Sequence, residues 1–142
     1  MNSIFILIKL IFKNFSLLRI FQILEFQKIE IRGKTLEFGA VKNLKRNFTN
    51  YSKNKIDTDY SNIVVDRNSN IFYADLTKKL KIKHKRYNNV LIFNVLEHLD
   101  KYDLAFSEIN RILINNGKLV GSTPFIYQIH GAPKDYFRFT KD

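Results

Sequence analysis

The chain has 142 residues, enough for one modest domain with a buried core, and its 45% hydrophobic content excludes a disordered polymer. It has no cysteine, which excludes disulfides, zinc–thiolate sites and a cysteine nucleophile and fits a reducing, cytoplasmic setting. A net charge of +11 would suit phosphate binding, but the lysines are scattered through a chain rich in Ile, Asn and Lys, so a nucleic-acid partner is not expected.

Residues 1–32 read as an amphipathic helical segment. Phe5, Ile8, Phe12, Phe15 and Leu18 recur at helical spacing, with Lys9, Lys13 and Arg19 between them. Those charges keep every apolar run well short of the ~18–20 residues that a membrane span needs. There is no basic leader and no small-residue cleavage site, so a signal peptide is not indicated. The spacing predicts a helix packed on the domain; peripheral contact with a membrane surface through its basic side is the alternative.

Residues 33–142 read as one α/β domain. After the Arg32-Gly33 turn, a strand from Lys34 to Phe38 runs into Gly39-Ala40. Leu44 to Tyr51 is compatible with a helix weakened by asparagine, and a second strand lies within Lys55 to Val65. A third, Asn70 to Tyr73, ends at Ala74-Asp75-Leu76, and the basic run Lys78 to Arg86 reads as a solvated loop. The fourth strand, Asn89 to Phe93, carries an apolar run from Val90 that stops at Asn94 and is followed by Glu97-His98. A helix from Asp103 to Leu113 follows, with Asn115-Asn116-Gly117 expected to supply its left-handed cap. Lys118 to Ser122 is the fifth strand.

Strands that alternate with helices imply parallel βαβ units, hence a Rossmann-like open sheet with helices on both faces. Glu37, Asp59, Asp75, Asn94, Glu97 and His98 all fall at or just beyond expected strand C-termini. In an open α/β sheet those ends share one crevice, where ligands bind. The three acids Glu37, Asp59 and Asp75 are therefore expected to converge on one ligand slot.

Beyond the fifth strand, His130, Asp135, Tyr136 and Arg138 form a polar, aromatic constellation suited to substrate contact. A neutral imidazole titrating near pH 6.5 suits removal of a hydroxyl proton. Arg138 has two readings: a partner for an acidic substrate group, or for Asp135. His98 also has two, a general base or a cap for the following helix, and Glu97 is read as fixing that loop. Three histidines without paired spacing give no metal site, and Ser122 lacks the G-x-S-x-G elbow of a hydrolase.

Leu36-Glu37-Phe38-Gly39-Ala40, Ala74-Asp75-Leu76, Val95-Leu96-Glu97-His98-Leu99 and Asn116-Gly117-Lys118-Leu119 together resemble the successive motifs of class I S-adenosylmethionine-dependent methyltransferases, of the type 11-like group. The resemblance implies transfer of a methyl group to a small-molecule or sugar-type acceptor. It implies that Gly39 and Ala40 let the backbone approach the methionine part of S-adenosylmethionine, whose ammonium meets Glu37. It further implies ribose hydroxyls on an acid ending strand two (Asp59, with Asp57 second), the adenine amino group on Asp75 beside Leu76, and a floor of Asn94 and Val95. His130 and His98 are then the candidate bases, and Asp135, Tyr136 and Arg138 the acceptor-binding residues.

Two departures stand out. Val41 and Asn43 occupy positions where that family usually has glycine, and seven strands are implied where the chain reaches five. A shortened member with an exposed sheet edge, prone to self-association, is the expectation. A non-catalytic remnant or basic adaptor is the alternative reading. A nicotinamide-dependent oxidoreductase is disfavoured because Gly39-Ala40-Val41-Lys42-Asn43-Leu44 lacks G-x-G-x-x-G.

Overall fold

A computed structural model of the chain describes residues 15–124 and 134–138, together with Ile8, Ile11 and Phe12. Helix α1 (Leu17–Phe26) starts at Ser16, whose hydroxyl accepts the Arg19 amide. Among the described residues five strands follow: β1 (Thr35–Phe38), β2 (Thr58–Asn62), β3 (Ile71–Tyr73), β4 (Tyr87–Phe93) and β5 (Leu113–Ser122). Helix α2 (Tyr102–Ile112) leads directly into β5. All four strand pairings are parallel, in the order β3-β2-β1-β4-β5.

The β4 sequence explains its central place. Its Val90 and Ile92 point to one face and join Leu36, Phe38 and the α2 residues Ala105, Ile109 and Ile112 in one core. Leu91 points to the other face and packs with Val120, Phe48 and the α1 residues Ile20, Ile23 and Phe26. One helix thus covers each face, so an uninterrupted apolar run is what this strand requires. Burial of each such side chain contributes about 1.5–3 kcal/mol. The loop after β3 is stitched down from α2: the Leu80 amide donates to Glu108 Oε2 (2.7 Å), and Arg111 donates to the carbonyls of Leu80 and Ile82.

Three expectations from the sequence are corrected. The packed face of α1 is Ile20, Ile23 and Phe26, joined by Phe15 from the expected stripe, whereas Ile8 and Phe12 of that stripe are exposed, Phe12 to 84%. Leu44 to Tyr51 is not one helix but two 3-10 turns, Leu44–Arg46 and Phe48–Tyr51. Asn47 separates them, because its side-chain amide bonds back to both the N–H and the carbonyl of Val41. Finally, α2 ends at Ile112 with its cap at Leu113 in extended backbone. The left-handed residue is Asn116 (φ 62°), which sits inside β5 where the pairing with β4 shifts register between Tyr87 and Asn89.

The strand order reverses between β1 and β4. A sheet opens a crevice at that switch point, outside the C-terminal ends of the two strands.

Candidate functional site

Gly39 and Asn94 follow β1 and β4 at the switch point, and both take left-handed backbone (φ 72° and 55°). A Cβ on Gly39 would lie 2.6 Å from Val95 Cγ2, so only glycine lets these two turns approach so closely. Asparagine is among the few other residues that tolerate this conformation. Asn94 is held there by its amide, which donates to the Ser122 carbonyl (2.9 Å), and by its side chain, which accepts from Gln22 Nε2 (2.7 Å). Gln22 also donates to Ser122 Oγ (2.8 Å), so α1 is fastened across the ends of β4 and β5.

Between these turns and α1 lies a cavity of about 690 Å³. Phe38, Gly39, Asn94 and Glu97 line it from the sheet, Arg19 and Gln22 from α1, and Lys42 and Arg46 from the β1–β2 connection. The Arg19 guanidinium stacks on Phe48, 3.7 Å from the ring centre, and donates to the Arg46 carbonyl. Burial lowers its pKa, an effect opposed by the nearby Glu37.

Two buried acids border the cavity, with opposite circumstances. Glu37 accepts from the Phe48 amide (2.8 Å), the Thr49 amide (3.0 Å) and the Thr49 hydroxyl (2.9 Å). Burial raises its pKa, and those three bonds pull it back. Glu97, in the 3-10 turn Leu96–His98 after β4, has a side chain only 1% exposed, and neither carboxylate oxygen has a hydrogen-bond partner among the described residues. Burial raises its pKa as well. No group of three His, Asp or Glu suited to a metal occurs among the described residues.

The tail closes against that same turn. The Tyr136 amide donates to the Glu97 carbonyl (2.8 Å), and His98 Nδ1 meets the Lys134 carbonyl at 3.0 Å. The Tyr102 and Phe137 rings meet edge to face at 5.4 Å, joining the tail to α2.

Residues 36–121 match the model of a family described as Methyltransferase domain. The chain belongs to this family. The class I methyltransferase resemblance of its motifs therefore stands. Among solved structures, the PH0226 protein of Pyrococcus horikoshii OT3 is 20% identical with a TM-score of 0.56, over 76% of this chain and 54% of that one. That similarity shows the fold, and the chain spans about half of that protein's length. A second structure, a putative S-adenosyl-L-methionine-dependent methyltransferase of Methanococcus maripaludis, is 17% identical with a TM-score of 0.48, covering 70% of this chain and 52% of that one. No curated protein matches the chain.

Within the methyltransferase domain, the sequence-derived residues divide. Gly39, Glu37 and Asn94 line the cavity, with Ala40 and Val95 adjoining it in sequence. Asp59 does not end β2. It pairs with Leu36 near the start of the strand, at the opposite edge of the sheet from Gly39. There it accepts from the Tyr87 hydroxyl (2.7 Å) and meets Lys34 and Arg86, which hold it ionised against the cost of burial. Asn62 ends β2 instead and donates to the Ala40 carbonyl (2.8 Å). Asp57, the second choice, lies earlier still, beside Lys34.

Asp75 stands beyond β3 at the expected edge, but its carboxylate is taken up locally. It accepts from the Thr77 amide (2.9 Å) and hydroxyl (2.7 Å), from the Tyr73 hydroxyl (3.2 Å) and from Lys78 (3.0 Å). Burial opposes ionisation, yet the Thr77 bonds prevail and hold its pKa down at about 2. The expected convergence of Glu37, Asp59 and Asp75 on one slot is thus not realised. Leu76 is in the core beneath that loop. Arg138 forms a salt bridge with Asp135, whose side chain is 1% exposed, and Tyr136 is exposed beside them. His130 lies outside the described residues.

Sequence reasoning missed Arg19 and Gln22, since polar residues on an amphipathic helix read as solvated. It placed Glu97 at the crevice edge but read it as fixing the His98 loop rather than as a wall of the cavity. The signal for Glu97 was present: an acid four residues beyond a buried strand, at the switch point.

Proposed function

We propose that this domain binds S-adenosylmethionine in the switch-point cavity and transfers its methyl group to a small-molecule acceptor. The observation that carries the reading is the close approach of Gly39 to Val95 beneath a cavity of about 690 Å³, within the size range of small-ligand sites. Three features fit this group. A side chain at position 39 would collide with Val95 beside the cavity, the borders carry two buried acids suited to a cationic ligand, and α1 supplies part of the wall through Arg19 and Gln22.

In this reading Gly39 and Ala40 give close backbone approach, and Asn94 and Val95 form the floor. Arg19 and Arg46 offer positive charge to the amino-acid carboxylate. When bound, S-adenosylmethionine supplies an electrophilic methyl on a sulfonium. The chain supplies alignment and exclusion of water. His98 holds the tail through Lys134, while His130, Tyr136 and the Asp135–Arg138 pair belong to the segment that meets the acceptor.

Calorimetric titration with S-adenosylmethionine and with NAD tests this directly. Saturable binding of S-adenosylmethionine alone is expected. Binding of NAD without the sulfonium compound would overturn the proposal.

A further inference from the structure

An ionisable group stripped of water without a partner is expensive: an unsatisfied buried acceptor costs about 1–3 kcal/mol, and more if charged. Glu97 is such a group, 1% exposed, with neither carboxylate oxygen hydrogen-bonded among the described residues, and it lines the cavity. Nearby groups do not satisfy it. The Arg138 guanidinium is bound to Asp135, the Tyr136 amide goes to the backbone carbonyl of Glu97, and His98 Nε2 stands 3.9 Å away. The other acid of the cavity, Glu37, already receives three donors from Phe48 and Thr49. A cationic ligand therefore meets one acid already hydrogen-bonded and one with no hydrogen-bond partner among the described residues.

From this arrangement we infer that Glu97 is the counter-charge that lets the cavity distinguish a sulfonium methyl donor from its neutral thioether product. The inference rests on the S-adenosylmethionine reading above and assigns a residue to it. A sulfonium carries charge without an N–H to donate, so its interaction with a protein is chiefly Coulombic. An unpaired carboxylate in a water-poor wall is what such a cation favours. Loss of the methyl removes the charge and with it the attraction, so the demethylated product is held less tightly. The ammonium and adenosine parts are common to both molecules, so they do not contribute to this discrimination.

The test is calorimetry on the whole chain with S-adenosylmethionine and S-adenosylhomocysteine, for the wild type, Glu97→Gln and Glu97→Asp. Glu97→Gln is expected to weaken the sulfonium compound about tenfold, at the low end of couplings between close charge pairs, and to leave the thioether nearly unchanged. Glu97→Asp, which keeps the charge, is expected to retain most of the preference. Thermal melts accompany the titrations, with Glu97→Gln expected to melt no lower than the wild type. An equal effect on both ligands, no effect on either, or a variant that melts far below the wild type would overturn the inference and leave the S-adenosylmethionine reading intact. A wild type that binds neither ligand would remove both.

Discussion

Replacing Gly39 by alanine probes the point where the two strand ends meet. Residue 39 has φ 72°, a conformation that costs an L-residue about 1–2 kcal/mol. The added methyl would also lie 2.6 Å from Val95 Cγ2, where ordinary contact begins at 3.4 Å, so the valine must move by most of an ångström. Driving a side chain off its rotamer costs roughly 0.5–1.5 kcal/mol. The two terms give a destabilisation of about 1.5–3.5 kcal/mol. With a urea slope of roughly 1–3 kcal/mol per molar, the midpoint falls by about 1 M or more. The double variant Gly39→Ala/Val95→Ala separates the terms: it should recover the collision and retain the backbone cost, giving a coupling of about 1 kcal/mol. A Gly39→Ala protein within 0.5 kcal/mol of the wild type, by the flat-surface standard of most exposed substitutions, would refute the reasoning. So would strict additivity with Val95→Ala.

Three further outcomes follow from local chemistry. The Asp75 pKa is about 2 in the folded chain against an ordinary 3.8, so its contribution is fully present above pH 4 and is lost as pH falls toward 2. That shift corresponds to about 2 kcal/mol, and urea titrations of wild type and Asp75→Asn should therefore converge by that amount between pH 5 and pH 2. Glu108→Ala removes the acceptor of the Leu80 amide and a partner of Arg111; a loss of about 2–3 kcal/mol and faster exchange at the Leu80 amide are expected. Gln22→Ala leaves the Asn94 and Ser122 side chains without their α1 partner, and should cost about 1–3 kcal/mol while lowering hydrogen-exchange protection through α1.

What could be read from the sequence followed from how strongly each segment is buried. The β4 run is apolar on both faces because helices cover both, and so its course and its end at Asn94 were legible. The end of β1 was marked by Gly39. In contrast, β2 reads Thr-Asp-Tyr-Ser-Asn and only Ser61 is buried, so nothing in its composition marks where it stops. Asp59 was placed at the wrong end for that reason. The 3-10 turns around Asn47 depend on a side chain that reaches back to Val41, and the end of α2 depends on pairing between β5 and β4. Both are tertiary effects that local propensity does not encode. Gln22 and Arg19 face the cavity because α1 lies across the ends of β4 and β5, a placement that helical periodicity leaves open.

The central claim is that the ligand sits at the β1–β4 switch point beneath α1. Amide-resolved NMR of the isotope-labelled chain, titrated with S-adenosylmethionine, tests it most directly. The account predicts saturable shifts at Gly39, Ala40, Asn94, Glu97 and Gln22, with Asp59 and Tyr87 at the opposite edge unmoved. Shifts centred on Asp59 and Tyr87 instead, or an unchanged spectrum at saturating ligand, would contradict it.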